Sequence, residues 1–196
     1  MARLKLDLLA EDYAHEAVLS ALIERLADEV GKKVVIAVRT ARGGQPRVQR
    51  ELKLYQQGVF KGLIDWPDIL VVAKDSNCHN FNEARKDIIN YLDPKLSDIL
   101  VIACPEPHIE RWLLTDLEAF ARVIGVHPRI SQEKCERDYY KSALVQAIKE
   151  SGQVPILGGV EFAREIVKEL DLYRAKKQDR SLGAFIDDFV GFLKRL

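Results

Sequence analysis

The stretch Asp68-Ile69-Leu70-Val71-Val72-Ala73-Lys74-Asp75-Ser76-Asn77 decides how the rest of the chain is read. Its apolar, β-favouring run, bounded by Pro67 before and Ser76-Asn77 after, predicts a strand buried on both faces rather than a helix. Buried parallel strands put their loops at one rim, and in doubly wound folds the ligand crevice lies outside the carboxyl ends of the strands. Lys74, Asp75 and Asn77 are therefore the first candidates for function. An Asp after a strand also serves as the N-cap of the following helix, and both readings stand at this point.

Outward from this strand the pattern repeats. Asp98-Ile-Leu-Val-Ile-Ala-Cys104 echoes it and predicts a second buried strand. Residues 3–9 alternate and then close apolar, which suits a first strand ending in Ala10-Glu11-Asp12. Ala14, Ala17, Val18, Ala21, Leu22 and Leu26 recur at helical spacing behind Asp12 as N-cap. Gly31 stops that helix, and Lys33–Val38 reads as another strand. Helices are expected at Val48–Gln57 and Asn80–Leu92, and after a turn with Pro107 at the first helical position. From Leu117 onward β signals fade, and Ala119–Val123, Cys135–Lys149, Phe162–Leu170 and Leu182–Leu193 suit helices. The expectation is an α/β chain with a mostly parallel, four-stranded, Rossmann-like sheet flanked by helices and a C-terminal helical cap. Residues 1–125 would form the core and 126–196 a helical extension packed on it.

With 196 residues, 47% apolar and 30 basic against 30 acidic side chains, the chain has the composition of an ordinary soluble domain large enough to bury a core. Zero net charge argues against a general electrostatic nucleic-acid binder. Charge is unevenly placed, however. From Lys32 to Lys61 there are eight basic residues (Lys32, Lys33, Arg39, Arg42, Arg47, Arg50, Lys53, Lys61) against one acid, Glu51. Arg39, Arg42 and the Gly43-Gly44 amides could meet phosphates, or the segment could be a solvated surface. No apolar run is long enough to cross a membrane, and the start lacks a signal peptide's apolar core, so the expected location is cytoplasmic. Cys78, Cys104 and Cys135 are odd in number and widely spaced, and are expected as reduced thiols. His79 beside Cys78 is a weak metal candidate, outweighed by a plain loop feature. His15, His108 and His127 are scattered and receive no role.

Acids follow three of the strands: Glu11 and Asp12, then Asp75, then Glu106 and Glu110. On a parallel sheet these ends share one rim. Clustered carboxylates repel unless a cation neutralises them, which suggests a hard-metal site, with Mg²⁺ or Mn²⁺ fitting the oxygen-rich donors.

The matching pieces Leu8-Leu-Ala-Glu11-Asp-Tyr-Ala-His-Glu16, Val71-Val-Ala-Lys-Asp75-Ser-Asn77 and Cys104-Pro-Glu-Pro-His-Ile-Glu110-Arg-Trp112-Leu-Leu-Thr-Asp116 occur in an order that resembles the stand-alone Toprim-like proteins related to the nuclease domain of the OLD family. The resemblance covers about residues 4–125. It implies a Toprim fold, binding of Mg²⁺ or related ions, and phosphodiester chemistry on nucleic acid, often beside an ABC-type ATPase and connected with phage defence. Carried over, Glu11 would be the acid of the first motif, Asp75 the first acid of the Asp-x-Asp motif, and Glu110 a support of the third cluster. Asn77 stands where the second acid of Asp-x-Asp would be, a neutral oxygen that holds a cation less strongly. Glu11 and Glu16 are five apart rather than four.

The leading expectation is a metal-dependent nuclease acting on nucleic acid, with DNA as the expected partner. Glu11, Asp75 and Asn77 would hold the ion, Arg39, Arg42 or Lys74 would neutralise the phosphate, and Glu110 would be a further acid of the site or a surface ion pair. Trp112 is expected in the core, and Asp116 at the end of its helix and turn. The rival expectation is a non-catalytic subunit that docks on an ABC-type ATPase through Cys135–Leu196. A nucleotide-binding domain is weaker still, because no Gly-x-Gly-x-x-Gly or Walker loop is present.

Overall fold

A computed structural model describes residues 3–40, 45–131, 135–136 and 138–196. Four parallel strands, β1 (Leu4–Ala10), β2 (Val34–Thr40), β3 (Ile69–Ala73) and β4 (Leu100–Ala103), form one sheet in the order β2-β1-β3-β4. The strand order reverses between β1 and β3, which pair in parallel from Leu6↔Ile69 to Leu9↔Val72. Every residue of β3 is buried, as its uninterrupted apolar run requires of a strand covered on both faces.

Alternation of side chains along the strands divides the interior in two. Leu6, Leu8 and Ala10 of β1, Ile69, Val71 and Ala73 of β3, and Val101 and Ala103 of β4 face helix α1 (Tyr13–Glu29) and the C-terminal helices. Leu9, Leu70, Val72, Ile102 and Cys104 face the opposite way, toward α2 (Gln45–Phe60) and α3 (Phe81–Tyr91). The sheet is thus a middle layer between helices.

The tail adds α4 (Glu110–Leu113), α5 (Leu117–Ile124), α6 (Tyr139–Glu150), α7 (Ala163–Glu169), α8 (Leu172–Gln178) and α9 (Arg180–Arg195). Phe120, Leu144, Ile166, Phe185 and Phe189 join the same apolar cluster as β1 and β3, so these helices share the core of the sheet. Short polar side chains start the helices: Asp12, Asn80, Asp116, Asp171 and Asp179 each accept a backbone N–H at the N-cap of α1, α3, α5, α8 and α9.

Three expectations need correction. Pro107 does not open a helix: the Glu106–Pro107 bond is cis, and α4 begins at Glu110. Helix α8 was not expected at all. Cys78 and Cys135 are not separate thiols but are paired as a disulfide, with Cα atoms 5.6 Å apart, leaving Cys104 free and buried.

Candidate metal centre

The carboxyl ends of β1 and β3 are neighbours, so the residues that follow them meet. Glu11 follows Ala10 directly and is buried, and its Oε2 accepts the backbone N–H of Asp75 at 2.9 Å. Asp75 continues the alternation of β3 one step past Lys74, which turns it to the α1 side of the sheet. There it meets His15, in the first turn of α1 and fully buried, whose Nε2 lies 3.0 Å from Asp75 Oδ1. One donor atom from each of Glu11, His15 and Asp75 lies within 4.8 Å of the other two, a grouping that could hold a metal ion.

Two further residues orient this group. Asp12 Oδ1 accepts from both the backbone N–H of His15, at 3.0 Å, and its ring Nδ1, at 2.9 Å. One carboxylate therefore caps α1 and fixes the imidazole. On the outer side His108 Nδ1 lies 3.1 Å from Asp75 Oδ2. Asp75 is bracketed by two imidazoles.

The electrostatics follow from burial and these pairs. Burial raises Glu11 above the ordinary glutamate range. For His15 burial works against the charge, but the carboxylates of Asp75 and Asp12 outweigh it and hold the ring well above the usual imidazole value. Burial likewise opposes ionisation of Asp75 and Asp12, yet His15 and, for Asp75, His108 lower both, Asp12 to about 2. His108 is raised by its bond to Asp75. Glu110, at the start of α4, is raised by burial and then by the charge of Asp75. Acids held ionised thus stand beside acids that resist ionisation, the condition a cation relieves.

The donor set could hold a metal ion. Two donors ~2.1 Å from one octahedral ion stand about 3.0 Å apart, the separation observed between His15 Nε2 and Asp75 Oδ1. His15 Nε2 and Asp75 Oδ1 are both buried and face each other, so a nitrogen and an oxygen donor are held at the distance that two ligands of one ion take.

Other residues singled out from the sequence sit elsewhere. Asn77 shares the Asp75 loop, but its amide donates to the Asp75 carbonyl at 3.5 Å. Lys74 is buried on the opposite face of the sheet, its Nζ 3.3 Å from Asp87 of α3. Arg39 is engaged by Asp7, with Nε 3.3 Å from Oδ2, and lies over the Tyr55 ring. Glu106 accepts the N–H of Phe81 at 3.1 Å, at the start of α3. Arg42, Gly43 and Gly44 lie outside the described residues. Trp112 is fully buried, its Nε1 donating to Ser181 Oγ at 3.0 Å, and Asp116 caps α5.

Sequence reasoning missed His15 and His108. For His15 a signal existed: it stands three residues after a helix N-cap and four after Glu11, spacings that return a side chain to the same end of the helix. His108 had none, because its approach to Asp75 depends on the path of the Pro105–Ile109 turn.

Compared with protein-family models, curated proteins and solved structures, the chain matches none.

Proposed function

We propose that the Glu11–His15–Asp75 centre binds one divalent cation and that the protein cleaves phosphodiester bonds in nucleic acid, with DNA as substrate, in the manner the Toprim-like resemblance implies. The carrying observation is the convergence of the three donors within 4.8 Å at the carboxyl rim of a parallel sheet. Glu11 and Asp75 are the oxygen ligands, for which Mg²⁺ or Mn²⁺ is the expected ion. When bound, the ion supplies Lewis-acid stabilisation of charge on the attacked phosphate. Glu11 also holds the Asp75 loop through the Asp75 N–H, and Asp12 holds His15. Exposed Lys33 just before β2, Arg50 and Lys53 on α2 and Lys61 in the turn after it provide positive charge for a phosphate backbone. Lys74 and Arg39, each already in an ion pair, serve the fold in this reading rather than the phosphate.

The test is nicking of supercoiled plasmid by the purified protein in Mn²⁺ or Mg²⁺, alongside chelator and Asp75→Ala. Cutting that disappears in both controls supports the reading. Cutting that survives Asp75→Ala overturns the assignment of the centre.

A second reading has its own observations. A protonated His15 between Asp12 and Asp75 neutralises the acids without an ion, and Val154, Ile156 and Leu157 stand exposed on the tail. These favour a non-catalytic subunit docking on an ABC-type ATPase. A folded protein that neither cuts DNA nor binds Mn²⁺ supports this alternative.

A further inference from the structure

The geometry points to His15 as a nitrogen ligand that biases this centre toward Mn²⁺ and other d-block cations and away from Mg²⁺, with Asp12 as the residue that positions it. The inference rests on the proposed metal centre and adds to it a ligand type that a site built from acids alone does not have.

His15 is fixed before any ion arrives. Its backbone lies in the first turn of α1, its side chain is fully buried, and Asp12 Oδ1 takes the ring Nδ1 at 2.9 Å. With Nδ1 as donor to a carboxylate, the neutral ring carries its lone pair on Nε2, the atom directed at Asp75. Nε2 is buried, and the atom it faces at 3.0 Å, Asp75 Oδ1, belongs to the same centre. A carboxylate behind a histidine ligand fixes its tautomer and raises its basicity as a donor. The arrangement therefore has the orienting partner of a metal-binding histidine as well as the ligand.

The donor set separates candidate ions. Mg²⁺ demands near-ideal octahedral oxygen coordination, dehydrates reluctantly and gains little from imidazole. Mn²⁺ and later first-row ions accept imidazole nitrogen together with carboxylate oxygen. One buried nitrogen among two carboxylates thus tilts selectivity without closing the site to Mg²⁺. The tilt is set by His15 rather than by the acids, which serve either ion.

The experiment uses the full chain with Mn²⁺ as probe. Electron spin echo envelope modulation reads nitrogen bound to Mn²⁺, and competition with Mg²⁺ reads selectivity. The expected result is ¹⁴N modulation in the wild type and in His108→Gln, which removes the other nearby ring. Modulation should be lost in His15→Gln, and Mg²⁺ should displace Mn²⁺ only at roughly tenfold excess or more. Asp12→Ser retains a helix cap but loses the ring partner, and should weaken Mn²⁺ binding by about tenfold while leaving the fold intact. Because the wild type alone yields both readouts, the test does not depend on His15→Gln folding. Mn²⁺ bound without ¹⁴N modulation, or displaced by Mg²⁺ at parity, overturns the inference and leaves the metal centre standing. A folded wild type that binds no Mn²⁺ overturns both.

Discussion

Asp116 shows how one buried carboxylate joins two elements. Its Oδ1 accepts the N–H of Ala119 and its Oδ2 the N–H of Asp171, each at 3.1 Å, which fastens the starts of α5 and α8 together. Burial alone would raise this carboxyl, but those N–H groups and the charges of Arg174 and Arg122 lower it. A group whose folded pKa is depressed stabilises the fold above its unfolded pKa, about 3.9, and loses that contribution as pH falls through the folded value. Asp116→Asn should therefore cost about 1 kcal/mol at pH ~7 and close to nothing at a pH below the folded value, as read by denaturant melts at both. An equal cost at both pH values would contradict the account. Residues of this kind were only partly legible in the sequence. Asp12 carried the signal of a capping residue before an apolar helix, and Asp75 that of an acid past a buried strand, whereas Asp116, expected at the end of the preceding helix and turn, is the N-cap of α5. The role of His15 needed knowledge of which two strand ends are neighbours, and that of His108 the path of a turn.

At the scale of elements, the turns that carry the centre are held from outside it. Ser181 Oγ, at the start of α9, accepts from Trp112 Nε1 at 3.0 Å and from the backbone N–H of Glu106 at 3.1 Å. Arg111 bonds the Glu106 carbonyl at 3.0 Å and pairs with Asp179, the cap of α9, at 3.1 Å. The Glu106–Trp112 segment is thus anchored on the last helix, which is why a sequence motif near the sheet depends on the tail. The loop of Asp75 has its own tie, the Cys78–Cys135 pair. Thiol titration of the denatured, unreduced protein should find one reactive thiol per chain, that of Cys104; three would contradict the pairing. Gly159 marks a second close approach. Its φ is +92°, and an added Cβ would lie 2.6 Å from Ile148 Cδ1 and 2.7 Å from Leu144 Cγ. Gly159→Ala should destabilise by about 1–3 kcal/mol in thermal or denaturant unfolding, and an unchanged midpoint would contradict this packing. The element pattern was largely readable because β3 and α1 bury long apolar sets. Helix α8 was not, since Ala175 is its one buried residue among Leu172–Gln178 and no apolar stripe announces it. The cysteine pairing was invisible for a different reason: the two residues are 57 apart and belong to no spacing pattern.

For the molecule as a whole, the alternation that makes the fold also sorts its chemistry. Lys74 and Asp75 are adjacent, yet the period of a strand sends one to Asp87 on the α3 side and the other to His15 on the α1 side. An Asp-x-Asp reading of this loop therefore finds one acid at the centre, with Asn77 turned back on the Asp75 carbonyl and His15 of α1 in the cluster. The parallel sheet followed from the repeated strand–helix pattern, but its order β2-β1-β3-β4 did not, and it is that order which places β1 beside β3 and brings Glu11 to Asp75. The central claim is that these residues together hold one ion. It is tested most directly by titrating the wild type, Glu11→Gln and Asp75→Asn with Mn²⁺ and counting free ion by electron paramagnetic resonance, with folding checked by circular dichroism. The account expects one bound ion per wild-type chain and binding weakened by roughly tenfold or more in each folded variant; a wild type that leaves all Mn²⁺ free, or binding unchanged in both variants, would contradict it.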